Sequence, residues 1–137
     1  MPAYTHRPPA KIRVILIDRN AASNAALEQI LSEESETYVM PDVVSALDWA
    51  SLWPPELILL GRSIIATEGA GAVARFKKQV PGVSILIVCD TLDDDEIRQA
   101  RMQGVVSTLL RPLKRDVVNS TVQELLASRP LQRLAMA

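Results

Sequence analysis

Few residues in this 137-residue chain have chemistry to offer, and they stand in one kind of place. Asp18-Arg19, Gly61, Cys89-Asp90 and Arg111 each lie just past a short apolar run, at residues 14–17, 57–60, 85–88 and 105–110. Two guanidiniums suit a phosphate or carboxylate, which their forked donors match. Two readings of the set follow. In one, Asp18 pairs with Arg111 and Arg19 with Asp90, and the cluster is structural. In the other, Arg19 and Arg111 hold a small anion.

Other chemistry is excluded by inventory. One cysteine allows no intramolecular disulfide, and one histidine, His6, leaves no Cys/His zinc set. No nucleophile–base pair and no glycine-rich phosphate loop is present, so no enzyme, cofactor or metal is expected. Cys89 reads either as a small buried core residue or, if exposed and acidified by nearby arginines, as a redox thiol. Asp93-Asp94-Asp95-Glu96 resembles a metal cluster but equally suits the solvated first turn of a helix, where the dipole favours acids. Trp49 and Trp53 read as packing residues, although an exposed tryptophan would mark a partner surface.

The apolar runs are the elements that must position these residues. Each is short and apolar on both faces, the pattern of a buried parallel strand, and the crevice of such a sheet lies beyond the strands' carboxyl ends. A fifth strand is expected at 38–40, closed by Pro41. Helices are expected at 21–33, capped by Asn20 or Ser23; at 43–52, capped by Asp42 with Val44, Leu47 and Trp49 or Leu52 inward; and at 72–80, with Val73, Phe76, Lys77 and Val80 along one side. Two more follow, from the acidic run through Met102 with Gly104 as stop, and over 116–128. Residues 32–36 read as a polar turn and 64–71 as a loop. The order βαβαβαβαβα predicts an α/β, doubly wound, five-stranded parallel sheet of order 2-1-3-4-5 with five helices. Residues 1–11 read as a disordered tail, 12–128 as the domain, and 129–137 as a tail or linker.

Quoted in sequence, Arg-Val-Ile-Leu-Ile-Asp-Arg-Asn (13–20), Pro-Glu-Leu-Ile-Leu-Leu-Gly (55–61), Ile-Leu-Ile-Val-Cys-Asp (85–90) and Gly-Val-Val-Ser-Thr-Leu-Leu-Arg-Pro-Leu (104–113) resemble the landmarks of the receiver domains of two-component response regulators, which have the flavodoxin-like fold. The resemblance implies a site with two acids after the first strand that hold Mg²⁺, and a phosphoacceptor aspartate ending the third. It also implies a Ser or Thr ending the fourth strand and a Lys before a proline after the fifth. This chain matches the first acid with Asp18 but has Arg19 for the second. Gly61 stands at the acceptor position, Cys89 at the hydroxyl position, Arg111 before Pro112 at the lysine position, and Thr108 where a switching aromatic is usual. One carboxylate and two guanidiniums replace three carboxylates and a lysine, so the pocket's formal charge changes from negative to positive. Mg²⁺ gives up its water reluctantly and needs carboxylates in return. The expectation is a degenerate, pseudo-receiver site that cannot take phosphate by the family route.

Function is then expected to be protein docking in signal transduction. The resemblance places the partner surface on the last helix–strand–helix segment, with Arg98, Arg101 and Asp116 among its charges, and the partner is a second copy, another signalling protein or a histidine kinase. The alternatives are a small-anion sensor at the Arg19/Arg111 crevice and the regulatory N-terminal domain of a longer transcriptional regulator. A net charge of −1 gives no general pull toward nucleic acid, so no direct nucleic-acid contact is expected. No apolar run approaches the roughly 20 residues that span a bilayer, and a cytoplasmic setting is expected.

Overall fold

The computed structural model describes residues 11–127. Five parallel strands lie in the order β2-β1-β3-β4-β5: β1 (Ile12–Ile17), β2 (Ser35–Val39), β3 (Leu57–Gly61), β4 (Ser84–Cys89) and β5 (Ser107–Leu110). The helices are α1 (Ala21–Leu31), α2 (Val43–Leu52), α3 (Arg62–Glu68), α4 (Gly71–Gln79), α5 (Asp95–Met102) and α6 (Arg115–Ala127). Apart from Lys11, the tail and linker expected at 1–11 and 129–137 lie outside the described residues.

Strand periodicity divides the core into two layers. From β3, Ile58 and Leu60 join Ile15, Ile17, Ile85 and Ile87 against Val43, Ile64, Ile65, Val73, Phe76 and Ile97. Leu57 and Leu59 point the other way, joining Val14, Leu16, Leu86 and Val88 against Leu27, Ile30, Val118 and Val122. All five β3 residues are buried, as expected of a strand covered on both faces. The register sets Ile17 beside Leu60, Gly61 beside Val88 and Cys89 beside Leu110. Asp18, Gly61, Cys89 and Arg111 therefore come to one end of the sheet.

Several local expectations need correction. Residues 64–71 are not a loop: the chain turns from β3 straight into α3, whose Ile64 and Ile65 are buried, and Gly69 at φ +80° separates α3 from α4. The chain thus has six helices rather than five among the described residues. The polar turn at 32–36 gives Ser35 and Glu36 to β2, an edge strand that tolerates polar residues because Ser35 Oγ donates to the Leu31 carbonyl at 2.5 Å. In α2 the fully buried residues are Val43, Ala46 and Ala50; Leu47 and Trp49 pack against the core as expected, whereas Val44 and Leu52 are exposed. Trp53 is half exposed beneath the Arg13 guanidinium, 4.9 Å from the ring centroid. Residues 105–110 are not a run buried on both faces. As the other edge, β5 buries Leu109 and leaves Leu110 exposed. The caps agree with expectation: Asn20 accepts from the Ser23 N–H and Asp42 from the Ser45 N–H.

Candidate functional site

Asp18, one residue past β1, is the centre of the strand-end cluster. Its side chain is only 3% exposed and its Oδ2 accepts from Arg111 Nη2 at 2.8 Å. Oδ1 accepts from the Asn20 N–H at 3.0 Å and from the Ser63 hydroxyl at 3.2 Å, and the Asp18 carbonyl accepts from Asn24 Nδ2 at 2.7 Å. Arg111 is committed as fully. Its Nε donates to Ser23 Oγ at 2.8 Å and its Nη1 reaches Asp90 Oδ1 at 3.4 Å. Each end of the guanidinium fork thus has an acceptor.

Gly61 forms the wall against which Asp18 rests. A Cβ at Gly61 would lie 2.2 Å from both Cγ and Oδ1 of Asp18 and 2.6 Å from Oδ2. The Asp18 carboxylate therefore fills the space that a side chain at position 61 would enter. The Gly61 backbone, at φ −71° and ψ 151°, is ordinary extended chain, so only space excludes a side chain there.

The sequence set is brought together in part. Asp18, Gly61 and Arg111 form one contact group, and the Asp18–Arg111 pair is present as read. The Arg19–Asp90 pair is not: Arg19 is exposed, its backbone N–H bonds Ser63 Oγ at 3.3 Å, and Arg111 takes Asp90 instead. Cys89 is buried, and burial pushes its thiol above its ordinary value, against the pull of Arg111. A buried, more basic thiol is a poor nucleophile. Ser23, Ser63 and Asn24 were missed. Their signal is that a buried carboxylate needs donors, and they are the hydroxyl and amide residues that follow β1 and β3.

Arg62 was missed as well. Its Nε donates to Asp94 Oδ2 at 2.5 Å and its Nη2 to Glu96 Oε1 at 2.8 Å. The hydrogen bond to Asp94 raises the Arg62 pKa and the same bond holds the Asp94 carboxyl below the ordinary range. The acidic run is thus partly a helix start, with Asp94 as the cap of α5, and partly an anchor. Among the described residues no group of three His, Cys, Asp or Glu is placed to hold a metal.

On the α5–β5–α6 side, Arg98 pairs with Asp93 and Asp95, while Arg101 and Asp116 are exposed. In the same part of the sequence Leu92, Val106, Leu110 and Val117 are each close to half exposed and Met102 is 86% exposed. A shallow depression of about 450 Å³ lies here, lined by Leu92, Thr108, Leu110, Arg111, Pro112 and Val117.

No protein-family model matches the chain. Over 103 residues, 73% of its length, it is 25% identical to the response regulator protein VraR of Staphylococcus saprophyticus, of which it spans 49%. It is 26% identical over the same length to VraR of Staphylococcus aureus. The chain spans about half the length of these curated relatives. Among solved structures, NtrX from Brucella abortus superposes with a TM-score of 0.81 at 21% identity, over 92% of this chain and 30% of that one. A two-component response regulator from Clostridium difficile gives 0.78 at 17% identity, over 88% and 99%. The described residues have the flavodoxin-like fold of response-regulator receiver domains. In this chain the strand-end site is a closed ion pair. A divalent cation does not fit it, because among the described residues Asp18 is the sole buried carboxylate at the strand ends, both of its oxygens already accept hydrogen bonds, and a guanidinium sits 2.8 Å away. None of the described helices is long and apolar enough to cross a membrane.

Proposed function

We propose that this receiver domain works without aspartyl phosphorylation, as a protein-docking module in signal transduction. The observation that carries the reading is the Asp18 carboxylate packed against Gly61 and paired to Arg111. Position 61, where the family carries its acceptor, has no side chain, and the space beside it is taken. Arg111 stands where the family has its lysine, but each of its three nitrogens already has an acceptor, in Ser23, Asp90 and Asp18. The same commitment disfavours the small-anion reading, since an anion at Arg111 would have to displace a buried carboxylate.

What remains for function is surface. The exposed Leu92, Leu110 and Val117, which line one depression with Arg111 and Lys114, suit an interface with an apolar centre and a charged rim, to which the exposed Arg101 and Asp116 of the same helix–strand–helix segment are assigned. The partner is a second copy or another signalling protein, a histidine kinase included. The same face serves the chain alone or as the N-terminal unit of a longer regulator.

The test is incubation with an acyl-phosphate donor and Mg²⁺, read by intact mass, alongside sedimentation at rising concentration in low and high salt. No phosphate adduct and a salt-sensitive dimer that Leu110→Asp dissolves are expected. A stable adduct overturns the phosphorylation-independent reading, and a strict monomer at all concentrations removes the homodimer.

A further inference from the structure

Arg62 is used neither by the receiver fold as such nor by the Asp18–Arg111 pair, yet it is the most specific contact made by α5. That helix has eight residues and buries only Ile97 and Ala100, too little to hold its register firmly. Its cap residue serves two roles. Asp94 Oδ1 accepts from the N–H groups of Glu96 and Ile97 at 2.9 and 3.3 Å, while Oδ2 receives Arg62. Glu96, two residues on, takes the other arm of the same guanidinium. Arg62 is itself fixed at the first position of α3, directly after β3. Leu92, on the proposed docking surface, lies two residues before Asp94.

We infer that Arg62 is a latch that ties the β4–α5 connection and the first turn of α5 to the end of β3, and so holds that edge of the docking surface in one arrangement. The inference rests on the docking reading for its consequence but not for its test. The competing view is an ordinary surface ion pair, worth almost nothing. Two features favour the latch: Asp94 is mostly buried, at 17% exposure, and one guanidinium engages two carboxylates through separate nitrogens, a geometry that lysine does not reproduce. Release would come from any group that competes for either half, such as an acidic partner side chain for Arg62 or a basic one for Asp94 and Glu96.

The experiment is hydrogen exchange on the full chain for Arg62→Ala, Asp94→Asn, the double variant and Arg62→Lys. Asparagine keeps the capping function while removing the charge, which separates latch from cap. Each single variant should speed exchange across residues 92–102 about ten-fold, the net worth of a charge-assisted hydrogen bond discounted for partial exposure, with α6 unchanged. The double variant should exceed the larger single by less than two-fold, and lysine should restore only part of the protection. Exchange in Arg62→Ala within two-fold of the parent, or a double equal to the product of the singles, overturns the latch. Sedimentation of the same variants keeps the two readings apart. Faster exchange with parent and variants all monomeric leaves the latch standing and counts against the homodimer alone.

Discussion

Placing a carboxylate at position 61 by Gly61→Asp is the perturbation most directly answered by the geometry. The new Cβ would sit 2.2 Å from the Asp18 carboxyl carbon, far inside contact distance, so Asp18 must leave. Leaving breaks its bond to Arg111 at 2.8 Å and those to Ser63 and the Asn20 N–H. Separating a buried ion pair costs about 3–5 kcal/mol, a large share of the roughly 5–15 kcal/mol that holds a domain folded. With a urea dependence of about 2 kcal/mol/M, the unfolding midpoint should fall by about 2 M. Gly61→Ala meets the same clash through its Cβ alone and should fall nearly as far, although it adds no charge. In an Asp18→Gly background the clash is gone, and adding Gly61→Ala should cost less than about 1 kcal/mol, a coupling that a double-mutant cycle reads directly. On the proposed reading, in which Arg19 stands in place of a second acid, Gly61→Asp should also take no phosphate from an acyl-phosphate donor with Mg²⁺, since Arg111 remains at the site. A Gly61→Ala midpoint within about 0.3 M of the parent would show that Asp18 moves aside freely and that the closed-pair reasoning is wrong.

Two further outcomes follow from the same contacts. Arg111→Lys keeps one charge near Asp18 but loses the fork to Ser23 and Asp90, so urea unfolding should report a loss of about 2 kcal/mol; Arg111→Met, which leaves Asp18 buried and unpaired, should lose about 3–5 kcal/mol. Asp94 has a folded pKa below its unfolded value of about 3.9, so its contribution is complete above that value and is lost as pH falls through the lower folded one. The stability difference between the parent and Asp94→Asn should therefore shrink between pH 6 and pH 3, as read by thermal unfolding across that range.

The sheet was legible because its strands are unambiguous in composition. Residues 14–17, 57–60 and 85–88 are apolar on both faces, and only a central parallel strand buries both. The alternation of strands and helices then gives a parallel sheet with right-handed crossovers, and the observed order is one of the two common doubly wound ones. The errors fall where burial is one-sided or an element is short. β5 lies at the sheet edge, so Val106 and Leu110 read as core residues by composition but are exposed by position. In α2 the large residues Val44 and Leu52 look like the inward stripe, yet the close packing over β1 takes the small Ala46 and Ala50. α3 has seven residues, too few to display a helical period. At the site, the Asp18–Arg111 pair was readable because both residues follow strands that register brings together. The roles of Ser63 and Arg62 depend on α3 starting without a loop, which the small residues at 69–71 concealed.

Gly61 and Asp18 are then best understood as one feature. An acidic phosphoacceptor pocket leaves carboxylates close together and relies on a cation to offset their repulsion. Here a guanidinium 2.8 Å from the remaining buried acid does that offsetting permanently, and the glycine opens the room for the acid to lie flat beside the strand. The backbone at 61 places no demand for glycine, since its φ of −71° suits any residue. The demand comes from Asp18 alone. On the proposed reading, charge that an active receiver gains and loses is fixed in this one, so any change at the α5–β5–α6 surface must begin at that surface. Arg62 is the contact positioned to resist such a change, because it joins the closed site's strand to the surface's first helix. A partner that docks on Leu92 and Val117 would therefore work against two carboxylates held by one guanidinium, and strengthening or weakening that grip should tune the affinity of docking without any chemistry at position 61.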